Sequence, residues 1–342
     1  MAIKKSITMT DIARQLGVST VSVSKALQNK EGISDALREK ILATSEELGY
    51  QYNSTSKSLS AVSISDIGVL ISERFIHNSE AFYWDVCSQI NKTLSENSFF
   101  GILETISYST EENLTPPQVI SSSKADGIII VGQMSPAYIS FLKKFGLPTI
   151  YADFYLSGLE NDTITTDNFY SSYLLTNYLI QNGHKEIGFL GDIYATSSIL
   201  DRYLGYLKAL LEHRLPVIPE WLLNDRTEKG FISIQELPSH LPTAFVCNCD
   251  QSAYFLCEKL KQNNFRIPED ISLASFDNNI YAEICTPRLT TVAVDVHALA
   301  AVAVASLIKK ISSRTTSIHR KEIPGKLIVR DSVRNISSSD SN

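Results

Sequence analysis

The sequence predicts an α/β protein with a small all-helical head and a large body built on parallel sheets. Three observations predict it. Residues 8–49 carry three short helical stripes, each with its own start and stop signal. From Ile67 onward, short apolar runs rich in β-branched residues alternate with amphipathic helical segments. Between them, residues 53–65 are rich in Ser and Thr and lack a core stripe. Buried parallel strands read as continuous apolar runs, and crossover helices separate them.

In the head, Thr8 followed by Asp11 has capping-box form, with the acid in the place Glu usually takes. Ile12, Ala13 and Leu16 form the stripe of a first helix that Gly17 ends. Ser19 caps a second helix through Leu27, with Val23, Ala26 and Leu27 inward. Ser34 starts a third, where Leu37, Ile41 and Leu48 recur at helical spacing and Gly49 stops it. Three helices with a tight turn between the first two make a helix-turn-helix arrangement.

In the body, strands are expected at 67–71, 99–103, 127–131, 149–151, 187–190, 244–247 and 271–275. Helices are expected at 81–96, 168–181, 199–211 and 251–262. About 270 residues of this alternation exceed one simple core and imply two lobes with a cleft between them. Residues 224–242 give no clear pattern, and the tail from Ser337 is polar and expected to be disordered.

Composition narrows the function. The 342 residues are 44% hydrophobic, yet no run of about 18 apolar residues suggests a membrane span. Residues 1–10 lack the apolar segment of a secretory signal, so a cytoplasmic protein is expected. Five cysteines, 87, 247, 249, 257 and 285, are an odd number in a large chain and read as reduced thiols. Alternation would set Cys247 and Cys249 on one face of a strand, but no further ligands at finger spacing suggest zinc. The net charge of −6 is uneven: residues 1–60 hold eight basic and six acidic residues, so the remainder is at −8. A basic head on an acidic body permits local phosphate contact. Phosphate-binding glycine loops, nucleophile elbows and paired metal histidines are missing, so no enzyme is expected and no cofactor is implied.

The motifs Thr10-Asp11-Ile12-Ala13, Leu16-Gly17-Val18-Ser19, Val23-Ser24-Lys25-Ala26-Leu27 and Glu47-Leu48-Gly49-Tyr50 carry a specific resemblance. They resemble the start of the lactose repressor (LacI/GalR) family of bacterial transcription regulators. The body is similar too, through Ala125-Asp126-Gly127, Gly183-His184-Lys185, Asp201-Arg202, Ile267-Pro268-Glu269-Asp270, Phe276-Asp277 and Pro287-Arg288-Leu289-Thr290-Thr291-Val292. The resemblance spans roughly residues 7–334. It implies a DNA-binding head at 1–52, a hinge at 53–65, a two-lobed periplasmic-binding-protein-like sensor and dimerisation domain at 66–334, and a tail at 335–342. It further implies a homodimer on double-stranded operator DNA, controlled by a small-molecule effector of the sugar class. A protein or phosphorylated co-regulator is the alternative to a sugar, and a sugar-binding protein without regulatory role is a more distant one.

The resemblance also assigns residues. Thr20, Val21 and Lys25 face base edges, and Val21 suits a thymine methyl. Lys25 stands where the family usually carries Arg, which replaces a two-point grip on guanine by a single flexible donor. Ser19, Ser22, Ser24 and Asn53 suit phosphates, and Thr8 and Lys57 complete the set. Leu59 falls where the family inserts a leucine into the minor groove. Phe75 or Phe82 would stack on a sugar face, while Asp153, Asn168, Arg202, Asp250 and Asp277 would bond hydroxyls. Cys249 replaces the usual Asn, and a thiol is a poorer partner for hydroxyls than an amide. His184 reads as a turn residue.

Overall fold

A computed structural model describes residues 9–27, 32–48, 65–76, 81–158, 162–227, 230–234, 236–313 and 319–337. The assignments at Thr8, Asn53, Lys57 and Leu59 lie outside the described residues. The chain divides into two compact units, 1–63 and 64–342.

The first unit holds α1 (Met9–Leu16), α2 (Thr20–Leu27) and α3 (Asp35–Glu47). Ile12, Ala13, Val23, Ala26 and Ile41 form its buried core. Around it, Met9, Leu16, Val18, Leu27, Ile33, Leu37 and Leu48 are partly covered. Gly17 ends α1 at φ +65°, where a side chain would strain the backbone, and Val18 N–H returns to Ala13 O at 3.0 Å. Ser19 Oγ then accepts from Ser22 N–H at 3.1 Å and starts α2.

The second unit has two lobes of like topology. The first sheet takes β1 (Ser65–Ser72), β2 (Phe99–Ile106), β3 (Gly127–Val131), β4 (Thr149–Ala152), β5 (Thr163–Thr166) and β11 (Lys321–Ile323). Its order is β2-β1-β3-β4-β5-β11. The second takes β6 (Ile187–Leu190), β7 (Leu222–Leu223), β8 (Ala244–Cys247), β9 (Ser272–Asp277), β10 (Thr290–Ala293) and β12 (Lys326–Ile328), ordered β7-β6-β8-β9-β10-β12. All pairings are parallel except that of β10 with β12. Strand by strand the two orders match, so β1 corresponds to β6, β3 to β8 and β4 to β9.

Helices cover both faces of each sheet. In the first lobe these are α4 (Ala81–Glu96), α5 (Tyr108–Glu112), α6 (Gln118–Ser121) and α7 (Pro136–Lys143). The second lobe uses α8 (Asn168–Gln181), α9 (Ser197–Glu212), α10 (Asp250–Gln262) and α11 (Ile280–Ile284). The late helix α12 (Val296–Ser313) crosses back to pack on α4, β3, β4 and β5. Each lobe carries two apolar clusters, one on either side of its sheet.

Several sequence readings are corrected. β5 and β10 were not expected, because Thr163–Thr166 and Thr290–Ala293 carry buried threonines where apolar runs were sought. The Ala- and Val-rich α12 was likewise not anticipated; its buried face spans Leu299, Ala300, Ala303, Val304 and Leu307. Cys247 and Cys249 do not share a strand face: β8 ends at Cys247, and Cys249 is the N-cap of α10. His184 is a buried interior residue, its ring bonded to Thr243 Oγ1 at 3.0 Å and Arg334 O at 3.1 Å. Residues 335–337 are held against the end of α8, where Ile336 N–H donates to Asn182 O at 2.8 Å; 338–342 lie outside the described residues. No described helix is long and apolar enough to cross a membrane.

Candidate functional site

On the head, the start of α2 offers the polar surface expected of a reading helix. Thr20 and Val21 point outward, Val21 being 63% exposed, while Val23 is fully buried. Ser22, Ser24 and Lys25 are half-buried. Ser19 and Ser22 are tied together in the cap, their hydroxyls 2.9 Å apart.

The cleft of the second unit gathers at the carboxyl ends of corresponding strands, the usual location for ligands in open parallel sheets. Phe75 follows β1, Asp153 follows β4, Thr196 and Ser198 follow β6, Asn248 and Cys249 follow β8, and Asp277 closes β9. These residues line one cavity together with Phe82, Tyr83, Arg202, Arg226, Gln251 and Asn279.

Asp153 and Asp277 occupy corresponding positions of the two lobes, and both are left-handed, at φ +68° and +104°. Such backbone strain in a non-glycine residue persists where the surroundings over-determine it, and it concentrates at functional sites. Asp153 is buried and accepts from Tyr83 Oη at 3.0 Å through Oδ2. Its Oδ1 is buried with no hydrogen-bond partner among the described residues. Burial raises its pKa to about 6, against the opposing pull of Arg202 and the Tyr83 hydroxyl. A carboxylate oxygen left in this state is a ready acceptor for a ligand hydroxyl.

Arg202, from α9, is the polar hub. Its Nε donates to Asn168 Oδ1 at 2.7 Å, and its Nη1 donates to Asn248 O and reaches Asp277 Oδ1 at 3.4 Å. The guanidinium also stacks over Phe276, 4.5 Å from the ring centre. Both Arg202 and Asp277 side chains are about 6% exposed. Burial pushes the Asp277 carboxyl up while Arg202 draws it down.

The apolar wall comes from the first lobe. Phe75 and Tyr83 rings lie 4.5 Å apart and Phe82 meets Tyr83 edge-on at 5.1 Å. Gly132 seats them: at its φ of +72° a Cβ would fall 2.7 Å from the Phe75 ring.

Of the eight cleft residues assigned from sequence, Phe75, Phe82, Asp153, Arg202, Cys249 and Asp277 line the cavity. Two do not. Asn168 lies behind Arg202 and orients it. Asp250 is fully buried inside its lobe, with Oδ1 accepting from Ser275 and Thr291 hydroxyls at 2.5 and 2.7 Å and Oδ2 from Asn279 N–H at 2.9 Å. It is fully buried, lies off the cavity lining and spends both oxygens on internal donors, so its assignment as a ligand contact is corrected to a structural acid that ties β9, β10 and α11. Cys249 Sγ accepts from Ser252 N–H at 3.4 Å, and burial raises its thiol to about 12, so it remains protonated. Sequence reasoning missed Tyr83, Arg226, Asn248, Gln251 and Asn279. It also missed Asp225, a fully buried carboxylate that bonds Asn248, Ser252 and Asp192 N–H. Asp225 and Arg226 fall in the stretch that showed no periodicity. Among the described residues no cluster of metal-ligating side chains occurs.

A helix-turn-helix in one unit and a two-lobed receptor in the other define a DNA-binding regulator governed by a ligand. Residues 8–53 match the family "Bacterial regulatory proteins, lacI family", and residues 176–333 match the "Periplasmic binding protein-like domain". The probable HTH-type transcriptional repressor ExuR of Bacillus subtilis is 27% identical over 338 residues, covering 97% of this chain and all of that protein. The ribose operon repressor of Haemophilus influenzae is 26% identical, with 95% and 98% covered. Among solved structures, the transcriptional regulator CelR–cellobiose complex aligns with TM-score 0.67 at 20% identity, over 95% of this chain and 99% of that one. The lac repressor dimer bound to operator and the anti-inducer ONPF aligns at 0.66 and 21%, over 96% and 100%. The head is thus a LacI-family helix-turn-helix domain, residues 176–333 form a periplasmic-binding-protein-like domain, and the relatives that match over the length of the chain are LacI-type repressors. The chain is a DNA-binding transcription regulator of the effector-controlled repressor type, and its relatives are regulators rather than enzymes.

Proposed function

We propose that the chain is a homodimeric repressor that acts in the cytoplasm and whose operator affinity is set by a neutral carbohydrate held between the two lobes. The observation that carries the effector class is the pairing of Asp153, with one unpartnered buried oxygen, and the Arg202–Asp277 pair against a wall of Phe75, Phe82 and Tyr83. Sugars need this combination: charged and amide groups for hydroxyls and rings for the apolar face. The two lining carboxylates balance the two lining guanidiniums of Arg202 and Arg226, which suits an uncharged ligand. Nothing in the set requires bond making or breaking, so the cleft is read as a binding site without catalysis.

On DNA, Thr20, Val21 and Lys25 of α2 would face base edges, and Ser19, Ser22 and Ser24 would meet phosphates. The hinge assignments at Asn53, Lys57 and Leu59, with Thr8, belong to the same proposal. Dimerisation is supported by exposed apolar surface of the sensor. Ile280 and Ile284 are 56% and 52% exposed beside the ring cluster of Tyr254, Phe255 and Tyr281, and edge strand β2 exposes Phe100.

A thermal-shift screen with neutral pentoses, hexoses and disaccharides tests the effector class, since a ligand of the folded state raises Tm by mass action. A hit should also change the affinity for a duplex selected from a random library. If no sugar at millimolar concentration shifts Tm, the carbohydrate assignment is wrong.

A further inference from the structure

We propose that the effector is an oligosaccharide or glycoside, whose second ring occupies a separate outer chamber floored by Tyr194 and Tyr108. The inference rests on the carbohydrate reading above and extends it to ligand length.

The cleft holds two adjoining cavities. The inner one, around Asp153, Arg202 and Asp277, has only about 50 Å³ of free space, which is a few waters' worth. A second cavity of about 280 Å³ lies beside it and shares Phe75, Thr196 and Arg226 as a common wall. Its other lining includes Arg74, Tyr108, Asp192, Tyr194 and Thr227. A ligand anchored on the inner charges therefore has free volume to extend into outward, past Phe75.

The outer chamber has the chemistry of a sugar platform. Tyr194, in the loop after β6, is 89% exposed, more than any other large hydrophobic residue described. Its backbone is nevertheless fixed: Tyr194 N–H donates to Asp192 Oδ1 at 3.0 Å, and Asp192 N–H donates to the buried Asp225 Oδ1 at 2.9 Å. A ring held out on an anchored loop at a cavity wall offers its face to a ligand at little ordering cost. Tyr108 is anchored likewise, its N–H donating to Glu73 Oε1 at 2.6 Å.

Charge excludes an anionic occupant. Arg74 is clamped by both Glu111 oxygens at 2.8 and 3.0 Å, and Arg226 lies 3.7 Å from Asp225. Counting the buried partners Glu111 and Asp225 together with Asp192 on the wall, three carboxylates stand against two guanidiniums, so a phosphate or carboxylate gains little there while hydroxyls find both donors and acceptors.

The test uses the full chain and isothermal calorimetry with glucose, galactose and xylose, their methyl glycosides, and cellobiose, maltose, lactose and xylobiose. The expected result is that one disaccharide binds at least tenfold tighter than either of its monosaccharides. Tyr194→Ala, at an exposed position that leaves the fold intact, should remove that margin and change monosaccharide affinity less than twofold. Tyr108→Ala should act in the same direction. Monosaccharides binding as tightly as the disaccharides, or Tyr194→Ala weakening both lengths equally, overturns the outer subsite but leaves the carbohydrate reading. Absence of binding by every sugar of either length overturns the carbohydrate reading, and the subsite with it.

Discussion

The head and the sensor cleft present polar groups in opposite ways. Among the described residues the head rests on a core of five buried apolar side chains and shows Thr20 and Val21 openly on a short helix. The cleft hides its working groups: Asp153, Arg202 and Asp277 are nearly inaccessible, two of them on left-handed backbone. A surface reader can therefore change residues without touching its fold, whereas the cleft couples recognition to stability. Every cleft group is either paired at a desolvation cost or left waiting for a ligand.

The largest effect that sharpens this contrast is expected at Arg202. Arg202→Ala removes the partner of Asp277 and of the Asn168 and Asn248 oxygens at once. Breaking a buried pair by deleting one partner costs roughly 3–5 kcal/mol. Urea unfolding of the sensor should show that loss, calorimetry should show no effector binding, and operator affinity without effector should persist in gel-shift assays. An unchanged effector response would remove Arg202 from the site.

Asp153→Asn should move the other way. Its folded pKa of about 6 lies above the ordinary aspartate value of 3.8, so the native carboxyl takes up its proton first. Stability of the native state therefore falls as pH rises from about 4 to about 6, and the cost is fully present above that. The amide keeps the acceptor for Tyr83 and removes the charge, so the free protein should gain about 1–3 kcal/mol at pH 7. That gain should vanish below about pH 4, and effector affinity should drop. A variant less stable than the parent at pH 7 would show that the carboxylate is compensated by something beyond Tyr83 and Arg202.

The same contrast explains what could be read in advance. The head is local: a cap, a stripe and a glycine lie within eight residues of one another, and Ser19, Val23 and Gly17 all sit as their spacing demands. Strands β3, β6 and β8 were legible because wholly buried strands are apolar without interruption. β5 and β10 were not, since their buried threonines look polar in sequence. In the cleft, charged residues on strand ends were legible through the family resemblance, but their roles were not. Asp250 and Cys249 are neighbours in sequence, yet one is consumed by three internal donors and the other faces the cavity. Asp225 was invisible because its partners come from the loops after β6 and β8 and from α10, contacts that no local pattern encodes.

Cys249 offers a smaller, more pointed test. Its thiol does the work of an N-cap through a 3.4 Å contact from Ser252 N–H. Asn is among the preferred caps, so Cys249→Asn should stabilise the sensor by about 0.5–1 kcal/mol. It would also add an amide to the cavity wall, and the rank order of sugars in a thermal-shift screen should change with it. Stabilisation without a change in rank order would make Cys249 a structural cap only.

The smallest stability effect is expected on the head. Val21 is 63% exposed and outside the buried core, so Val21→Ala should alter unfolding free energy by less than about 0.5 kcal/mol. Its consequence should fall on DNA instead. A methyl group packed on a thymine methyl contributes to discrimination between bases. Selection from a random duplex library should then return a site relaxed at one base pair, with the salt dependence of binding unchanged because no phosphate contact is lost. A measurable loss of stability in Val21→Ala would break the contrast between the two regions, since it would make an openly displayed residue part of the fold.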